Sequence, residues 1–397
     1  MKIGIFSETI IYNPPFPSGV SRFFKEITTE LAQRGHEVFI FEPRAHSNQP
    51  QVELIKKNIT VLRTFSITFK FYLNFPVGLP FKEIFFDIPF ELDVVHANAP
   101  GIAILAGITA YRQQIPRVIS YHTPLIQYTN YAPLPLLFLR NRKIVNYLER
   151  MVYNQFNLTI VPTQGVRDAL SSRGFNGPFG FFPTCLDLQN LPHPTNQDIA
   201  AFREKYNISN KKIILFVGRM SPEKGVDKIL QMVPSIVKQE PDAHFLMVGK
   251  GPFLDFYKNL TLERNLAANV TFTGYLSDYD LFTAISLSRM GLIFVGEAQI
   301  FDMTILEYWY YGLPLIIRNA MGIDEVVHHG ENGLLFNSLR EARDNVLQLL
   351  QKDDIELKIR TNCQELIQQK YDIKKCILLL EDLYENAADL KKDTKKN

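Results

Sequence analysis

The stretch VGEAQIFDMTILEYWYYGLPLI, residues 295–316, joins the end of an apolar strand to a segment with helical spacing and then to a second apolar run. It predicts a strand, a short polar corner, a helix that begins near Met303, and a further strand after Gly-Leu-Pro. The free amide groups at the start of that helix are expected to point out of the strand ends. Glu307 lies in the first turns of the helix, and Gln299 lies eight positions before it.

The first half of the chain alternates short apolar runs with segments of helical spacing. KIGIFSE opens as a buried strand, SGVSRFFKEITTELAQRGH is a helix that stops at Gly35, and HEVFIFEP is a second strand. This order predicts a parallel sheet with a right-handed crossover. An amphipathic helix is predicted over 135–155. Further strands are predicted in DVVHAN, RVISYHT and LTIVPT, whose polar ends are where open α/β sheets bind ligands.

The second half repeats this order, with strands in KKIILFVGRM, AHFLMVGKGP (which includes a glycine turn), NVTFTGY, MGLIFVGE, LPLIIRN and GLLF. Between the halves, LPHPTNQD is rich in turn-forming residues and predicts a boundary. We therefore expect a Rossmann-like domain over 1–195 and a second one over 196–370, followed by a helix and a basic tail over 371–397. Two parallel-sheet domains of similar size predict a cleft between them, which is the usual place for a ligand.

The composition restricts the class of protein. The chain has 397 residues, of which 46% are hydrophobic and 21% charged, and its net charge of +2 does not favour nucleic acid as a partner. The three cysteines lack the spacing of a metal site or a disulfide framework, so we expect free thiols in a reducing compartment. The chain contains no apolar run of about 18 residues and opens with MKIGIFSETI, so we expect neither a spanning helix nor a signal peptide.

A cationic turn follows the first strand of the second half. In FVGRMSPEKGVDKIL, Arg219 and Lys224 come directly after the strand, Gly218 and Gly225 bracket the turn, and a helix begins afterwards. Two positive side chains beside free helix amides suit an anion such as a phosphate. Two cations in a turn are also common on a solvated surface, and the residues alone leave that alternative open.

Two acidic features have alternative interpretations. Glu307 either accepts hydrogen bonds from two ribose hydroxyls, as acids do in other nucleotide-binding folds, or only compensates the dipole of its helix. The string Asp278-Tyr279-Asp280 is compatible with a metal-bound ligand. Ser277 stands directly before it in the position of a helix cap, so we predict a capped helix and no metal there.

Taken in order, the motifs resemble those of the GT-B glycosyltransferases of the large retaining family 4, also described as glycosyl transferases group 1. The resemblance covers essentially the whole chain and rests on SGVSRF, YHT, VPTQGVRDAL, GRMSPEKG, VGKGP, LEYWYYGLPLI and GIDEVVHHGENGLLF. The stretch SYHTPLIQYTNY is also similar to diacylglycerol glucosyltransferases of that family. The resemblance implies an α/β fold of two Rossmann-like parallel-sheet domains that face each other across a cleft, with a C-terminal helix that returns to the N-terminal domain.

The resemblance also implies roles for individual residues. Arg219 and Lys224 match the pair that holds the donor diphosphate, and Glu307 matches the second acid of the E-x7-E motif, which binds the nucleotide ribose. Gly19 falls in the glycine loop that approaches the donor phosphates from the first domain. His122 matches the first-domain histidine near the transferred sugar.

The E-x7-E region departs from the family pattern at two positions. Gln299 replaces the first acid, so it keeps hydrogen-bonding capacity but carries no charge, and we expect weak, altered or absent activity. Asp302 stands where many relatives have glycine, although the backbone amides remain. The residues that match the phosphate-facing helix start are Phe301, Asp302, Met303 and Thr304.

The implied reaction transfers a hexose from a nucleotide sugar with retention of anomeric configuration. The leaving group is a nucleoside diphosphate, so preorganised cations and helix amides lower the barrier more than a proton donor does. Such a site needs neither a metal nor another cofactor. The expected donor is a UDP-sugar, with a GDP-sugar as the alternative.

The acceptor side indicates a lipid. Residues 65–90 are rich in phenylalanine, and the helix predicted over 135–155 carries Arg140, Arg142 and Lys143 beside Leu and Phe. Such segments suit a lipid acceptor and an anionic membrane surface, although the phenylalanines also fit a protein core. We therefore expect a lipid or lipid-linked acceptor and a cytoplasmic, peripheral location on the inner face of the cell membrane.

Two other functions remain open. The chain could be a non-catalytic relative that acts as a partner subunit, a hypothesis motivated by Gln299. It could also be a sugar-nucleotide epimerase of the GT-B fold, which the GRMSPEKG match disfavours.

Overall fold

The structure is a computed structural model that describes residues 1–14, 18–46, 48–69, 75–78, 88–122, 124–125, 141–294 and 303–394. The chain divides into two compact units. Unit 1 contains Met1–Leu186 and the residues from Ile373 onward, and unit 2 contains Asp187–Asp372. The C-terminal helix therefore belongs to the N-terminal unit, as the resemblance implies.

The strands of unit 1 are β1 Lys2–Phe6, β2 Glu37–Pro43, β3 Val52–Lys56, β4 Ile59–Thr64, β5 Ser66–Phe69, β6 Phe75–Gly78, β7 Val94–Ala97, β8 Arg117–Ser120, β9 Leu158–Val161 and β10 Phe179–Phe181. Eight of them form one sheet in the order β10-β9-β8-β7-β1-β2-β4-β3. Its neighbours are parallel except β3 and β4, and β5 and β6 form a separate antiparallel hairpin. The predicted strands in both halves of the chain are confirmed.

The strands of unit 2 are β11 Lys212–Val217, β12 Ala243–Val248, β13 Val270–Gly274, β14 Met290–Ile293, β15 Leu315–Arg318 and β16 Leu334–Phe336. They form a parallel sheet in the order β13-β12-β11-β14-β15-β16. β12 is buried along its whole length, which explains why five of its six residues are apolar instead of alternating with polar ones; the sixth, His244, lies 2.9 Å from the Thr271 hydroxyl.

The α-helices of the described residues are α1 Gly19–Gln33, α2 Ala103–Gln113, α3 Arg142–Tyr153, α4 Gln164–Ser172, α5 Asn196–Lys205, α6 Val226–Val237, α7 Leu254–Glu263, α8 Asp278–Ser286, α9 Met303–Tyr310, α10 Leu339–Gln351, α11 Asp353–Lys370 and α12 Ile373–Thr394. The helix predicted over 135–155 is α3, and residues 126–140 lie outside the described part of the chain. None of the helices in the described ranges is both long enough and apolar enough to cross a bilayer.

Helix α1 shows how local sequence sets these boundaries. The Ser18 hydroxyl accepts a hydrogen bond from the Ser21 amide, and the Ser21 side chain in turn accepts one from the Ser18 amide, which satisfies two donors at the helix start. The helix ends before Gly35, whose φ of +92° favours glycine. Its buried face includes Phe24 and Ile27 and packs on the sheet of unit 1.

Helix α12 completes unit 1 from the far end of the chain. It packs against α1 and reaches β8. On its outer side, Glu381 accepts two hydrogen bonds from Arg34, at 2.7 and 2.9 Å, and lies 2.8 Å from His36 Nε2. The three cysteines are buried free thiols, as expected: Cys185, Cys363 and Cys376.

Candidate functional site

The strand order of unit 2 reverses between β11 and β14. From β11 the chain continues to one side through β12 and β13, whereas β14, β15 and β16 extend to the other side. β11 and β14 are parallel neighbours, so the segments that follow them leave the sheet at the same edge. In open α/β sheets, ligands bind at the carboxyl ends of the strands where the order reverses.

The turn that carries Arg219 begins directly after β11 and is locked to the turn after β12. The Gly218 amide donates to the Val248 carbonyl, and the Met220 amide donates to the Lys250 carbonyl, each at 3.0 Å. The close approach of the two turns requires glycine at position 249. Gly249 has a φ of +134°, and a Cβ there would overlap the Gly218 carbonyl oxygen. Backbone contacts thus fix the turn.

Lys224 closes the same turn. It is the last residue of a short 3₁₀ segment, Pro222–Lys224, and Gly225 follows in the left-handed region with a φ of +65°. A Cβ on Gly225 would lie 2.7 Å from the Cβ of Phe294, the residue after β14. The cationic turn therefore packs against the beginning of the chain that leads to α9. Arg219 and Lys224 are both partly exposed.

Helix α9 begins at Met303, as predicted. Glu307 lies in its second turn and is only 5% exposed, whereas Thr304 is partly exposed. Trp309 anchors the helix, because its buried indole Nε1 donates to the Asn332 carbonyl at 2.9 Å. Tyr308 and Trp309, the two aromatic residues next to Glu307, are fully buried and pack in the core of unit 2. The remaining predicted residues of this region, Gln299, Phe301 and Asp302, lie outside the described residues.

Unit 1 brings the helix of Gly19 next to His122. Gly19 is the first residue of α1, and His122 follows β8. The His122 ring lies edge-on to Phe23 and to Phe24, with ring centroids 5.3 Å apart in each case. The His122 ring therefore packs on the helix that Gly19 begins, against residues one turn after Gly19.

The His122 ring is neutral and has one nitrogen that no described residue satisfies. Burial lowers the pKa of His122 to about 4, so the ring carries no charge near pH 7. Its buried Nε2 atom has no hydrogen-bond partner among the described residues. A buried polar atom without a partner is costly, and a bound hydroxyl would satisfy it.

Glu149 holds the segment next to His122, and the sequence did not single it out. This fully buried carboxylate accepts a hydrogen bond from the Leu125 amide at 2.7 Å and pairs with Arg173. Arg173 also donates to the Tyr121 hydroxyl at 2.9 Å. The only signal in the sequence is an acid at an inward position of the amphipathic helix α3.

A second reversal of strand order lies in unit 1, between β1 and β7. The side-chain amide nitrogen of Asn98 donates to the Ser7 hydroxyl at 2.7 Å. The Glu8 backbone amide donates to the side-chain oxygen of Asn98 at 3.0 Å. The Glu8 carboxylate accepts from the Gly101 amide, and burial raises its pKa. The polar residues after KIGIF and DVVHA were the signal for this polar corner, although no prediction named Glu8.

The acidic string after β13 is a capped helix start. The Ser277 hydroxyl accepts a hydrogen bond from the Asp280 amide at 3.1 Å, which confirms the predicted cap. In the described part of the chain, no group of three or more His, Cys, Asp or Glu side chains is arranged to hold a metal ion.

Two compact units, each built on a largely parallel sheet, match the architecture of the GT-B glycosyltransferases. The model "Glycosyltransferase Family 4" matches residues 17–190, and the model "Glycosyl transferases group 1" matches residues 198–369. The chain belongs to the family 4 glycosyltransferases.

Curated relatives at low identity span most of the chain. An alpha-monoglucosyldiacylglycerol synthase of Acholeplasma laidlawii is 24% identical over 365 residues, which are 89% of this chain and 89% of the relative. An alpha-monoglucosyldiacylglycerol synthase of Streptococcus pneumoniae is 24% identical over 88% of this chain and 78% of its own length.

Solved structures share the fold. Anabaena HepE in complex with UDP has a TM-score of 0.75 and 18% identity, and the match covers 97% of this chain and all of that one. WaaG, a glycosyltransferase involved in lipopolysaccharide biosynthesis, has a TM-score of 0.68 and 15% identity over 98% of this chain and 99% of its own.

Proposed function

We propose that the protein is a retaining hexosyltransferase that needs no metal and transfers a hexose from a UDP-sugar to a lipid or lipid-linked acceptor. We place its action at the cytoplasmic face of a membrane, as a peripheral protein. The observation that carries the proposal is the locked turn with Arg219 and Lys224 where the strand order of unit 2 reverses.

The donor roles follow from charge and position. Transfer breaks the bond between the anomeric carbon and the diphosphate oxygen, so negative charge develops on the diphosphate. Arg219 and Lys224 stabilise this charge together with the backbone amides of Met303 and Thr304 at the start of α9 and, as the resemblance implies, with those of Phe301 and Asp302. Glu307 accepts hydrogen bonds from the ribose hydroxyls. Because the turn is held by backbone contacts, the cations need little rearrangement as the charge develops.

The acceptor half supplies a neutral histidine. His122 hydrogen-bonds a hydroxyl of the transferred hexose through Nε2, and its uncharged state avoids an additional positive charge beside a cationic sugar centre. We assign Gly19, at the start of α1, to the donor phosphates, as the resemblance implies. Gln299 hydrogen-bonds the sugar without the charge of the acid usual in the family.

The lipid acceptor is supported by the relatives. Two of them are named alpha-monoglucosyldiacylglycerol synthases. The UDP complex of HepE supports UDP as the nucleotide of the donor. The GDP-mannose-dependent relative of Corynebacterium glutamicum, at 24% identity, keeps GDP as the alternative.

Titration calorimetry tests the donor site. The wild-type protein in EDTA is titrated with UDP and with GDP, and Lys224→Ala is compared with Lys228→Ala, an exposed lysine four residues further on. We expect UDP binding that Lys224→Ala weakens by at least about tenfold, because a charge-assisted contact to phosphate is lost. Lys228→Ala should bind as the wild type does. A folded wild-type protein that binds neither nucleotide would contradict the proposal.

The second candidate function is that of a non-catalytic partner subunit, and Gln299 is the observation that favours it. Such a protein would keep the fold while its donor site no longer supports turnover. Release of UDP from UDP-glucose in the presence of a diacylglycerol acceptor separates the two functions. An epimerised sugar nucleotide formed without an acceptor would instead indicate epimerase chemistry.

A further inference from the structure

Helix α3 presents apolar side chains to solvent, where a helix on the surface of a globular protein usually carries charge. Its inward side holds Val145, Glu149 and Tyr153, all buried. Its outward side holds Tyr147, Leu148 and Met151, and Tyr147 and Met151 are 53% and 47% exposed.

The charges on α3 are also unevenly distributed, with the acid buried and the cations on the outward side. Glu149 is its only acid and is fully buried against Arg173. Arg142 and Lys143 are exposed, and Arg150 is partly exposed beside the Tyr147 ring, with 5.7 Å between its guanidinium carbon and the ring centroid. None of these three cations forms an ion pair with a described carboxylate. The outward side of α3 thus combines apolar side chains with uncompensated positive charge.

Helix α2 extends the apolar surface. Ile104 and Tyr111 on α2 are 60% and 74% exposed. A groove separates the two helices, and both residues line it together with Val152, near the end of α3, and Gln155, two residues after it. We name the exposed side chains of the two helices the α2–α3 face: Ile104, Tyr111, Arg142, Lys143, Tyr147, Leu148, Arg150 and Met151.

We propose that the α2–α3 face docks on the surface of an anionic lipid bilayer. This inference deepens the proposed function, because it names the surface that would bring unit 1 to a lipid acceptor. Charge complementarity favours a bilayer, because α3 exposes cations but no acids, and negatively charged headgroups attract such a helix. Its exposed tyrosine, leucine and methionine side chains suit the acyl boundary beneath those headgroups. Tyrosine is favoured there because its ring is apolar and its hydroxyl is polar.

A protein partner or a second copy of this chain fits less well. An interface between two copies would bring the cations of one α3 close to those of the other, and like charges in close contact are repulsive. The core of a protein–protein interface is also depleted in lysine. A bilayer tolerates the same residues, because lysine and arginine stems extend along the apolar surface while their charges remain at the headgroups.

Co-sedimentation with vesicles tests the proposal with the full chain. We expect the wild-type protein to bind vesicles of 30% phosphatidylglycerol and 70% phosphatidylcholine (a composition chosen as roughly that of a moderately anionic membrane), and to bind pure phosphatidylcholine much less. The triple variant Arg142→Gln/Lys143→Gln/Arg150→Gln should bind the anionic vesicles on the order of 100-fold more weakly, since each cation near such a surface contributes about tenfold or less. Added salt should reduce wild-type binding.

Two further variants complete the test. Tyr147→Ser/Leu148→Ser/Met151→Ser removes apolar area and should also weaken binding to the anionic vesicles. Lys238→Gln/Lys352→Gln/Lys358→Gln removes the same charge from exposed lysines of unit 2 and should bind as the wild type does. Thermal unfolding and UDP titration of every variant show whether it is folded.

The outcomes separate this inference from the proposed function. Anionic-vesicle binding that is equal in the wild type and in both α3 variants would overturn the docking proposal. So would a wild-type dimer that the Tyr147/Leu148/Met151 variant dissociates while vesicle binding stays the same. Vesicle binding through the α2–α3 face in a protein that binds no nucleotide would support the docking and contradict the proposed function. Nucleotide binding without vesicle binding would support the donor site of the proposed function and contradict the docking proposal.

Discussion

The His96 ring and the Tyr384 hydroxyl share a buried hydrogen bond of 2.8 Å, although 288 residues separate them in the chain. The other ring nitrogen of His96 lies 2.7 Å from the Ser120 hydroxyl. The C-terminal helix α12 is thereby joined to β7 and β8, in the middle of the sheet of unit 1.

Tyr384→Phe should lower the free energy of unfolding by about 1–2 kcal/mol, because it removes one buried hydrogen bond and leaves a His96 nitrogen unsatisfied. Urea denaturation measures the change. Tyr111→Phe is the matched control, because Tyr111 is 74% exposed, and it should leave the stability unchanged. An equal effect of the two substitutions would show that the buried contact contributes nothing.

We expect the free energy of unfolding to decrease at acidic pH because of His96. Burial lowers the pKa of His96 to about 3, whereas an unfolded histidine has its ordinary pKa of about 6.5. Between these values the unfolded state binds a proton that the folded state does not. The titration of His96 therefore leaves the free energy of unfolding unchanged above about pH 6.5. As the pH falls from there toward 3, it lowers the free energy of unfolding by about 1.4 kcal/mol per pH unit.

Urea denaturation at pH 7.5, 5.5 and 4.5 measures this dependence. His96→Gln keeps a hydrogen-bonding side chain but does not titrate, so its stability should decrease less between pH 5.5 and 4.5 than that of the wild type. Identical pH slopes for the two proteins would contradict the assignment to His96.

Gly249→Ala should damage the donor site through the backbone. A Cβ at this position overlaps the Gly218 carbonyl, so the turn with Arg219 must shift or the fold loses roughly 3 kcal/mol of stability. We expect UDP binding at least about tenfold weaker, measured by calorimetry. Gly330→Ala is the control: its φ is +80°, but a Cβ there meets nothing within 4 Å, so it should cost about 1 kcal/mol and leave UDP binding intact.

Glu149→Gln should reduce turnover without changing nucleotide affinity. The substitution weakens the contact with the Leu125 amide and leaves Arg173 without its carboxylate, so the segment of His122 becomes less well positioned. We expect a loss of about 2 kcal/mol in stability and a severalfold lower kcat with unchanged UDP affinity. Glu149→Asp should restore part of the kcat. A weaker affinity for UDP with an unchanged kcat would disprove the positioning role.

Gln299→Glu tests whether the donor site is active. A restored negative charge near a cationic sugar centre should raise kcat on the order of tenfold in an enzyme that already turns over. Gln299→Ala, which loses the hydrogen bond as well, should lower it. Turnover that appears only in Gln299→Glu and is absent from the wild type would favour the non-catalytic subunit.

Much of the fold was predictable because each strand is a short apolar run with turn residues at its ends. β12 illustrates this. Its run of six residues, all buried, has the length of a strand and is too short for a typical helix. The strand order was not predictable from such runs, because any parallel neighbour buries an apolar strand equally well. The reversal between β11 and β14 depends on long-range pairing that no local spacing specifies.

The candidate site was predictable where a motif places the chemistry, as in the turn from Arg219 to Lys224. It was not predictable where a residue acts through distant contacts. Glu149 reads as an ordinary acid of a surface helix, and only the fold shows that it is buried against Leu125 and Arg173. The neutral state of His122 likewise depends on burial beside Phe23 and Phe24, which lie about a hundred residues earlier in the chain.

The return of α12 to unit 1 determines the order in which the two units are completed during synthesis. Unit 2 is one continuous segment and has all its residues once Asp372 has left the ribosome. The first segment of unit 1 precedes unit 2, yet unit 1 has neither Tyr384 nor Glu381 until all of unit 2 has been translated. The nascent N-terminal unit therefore exposes the surface that α12 later covers, so the domain that starts first finishes last.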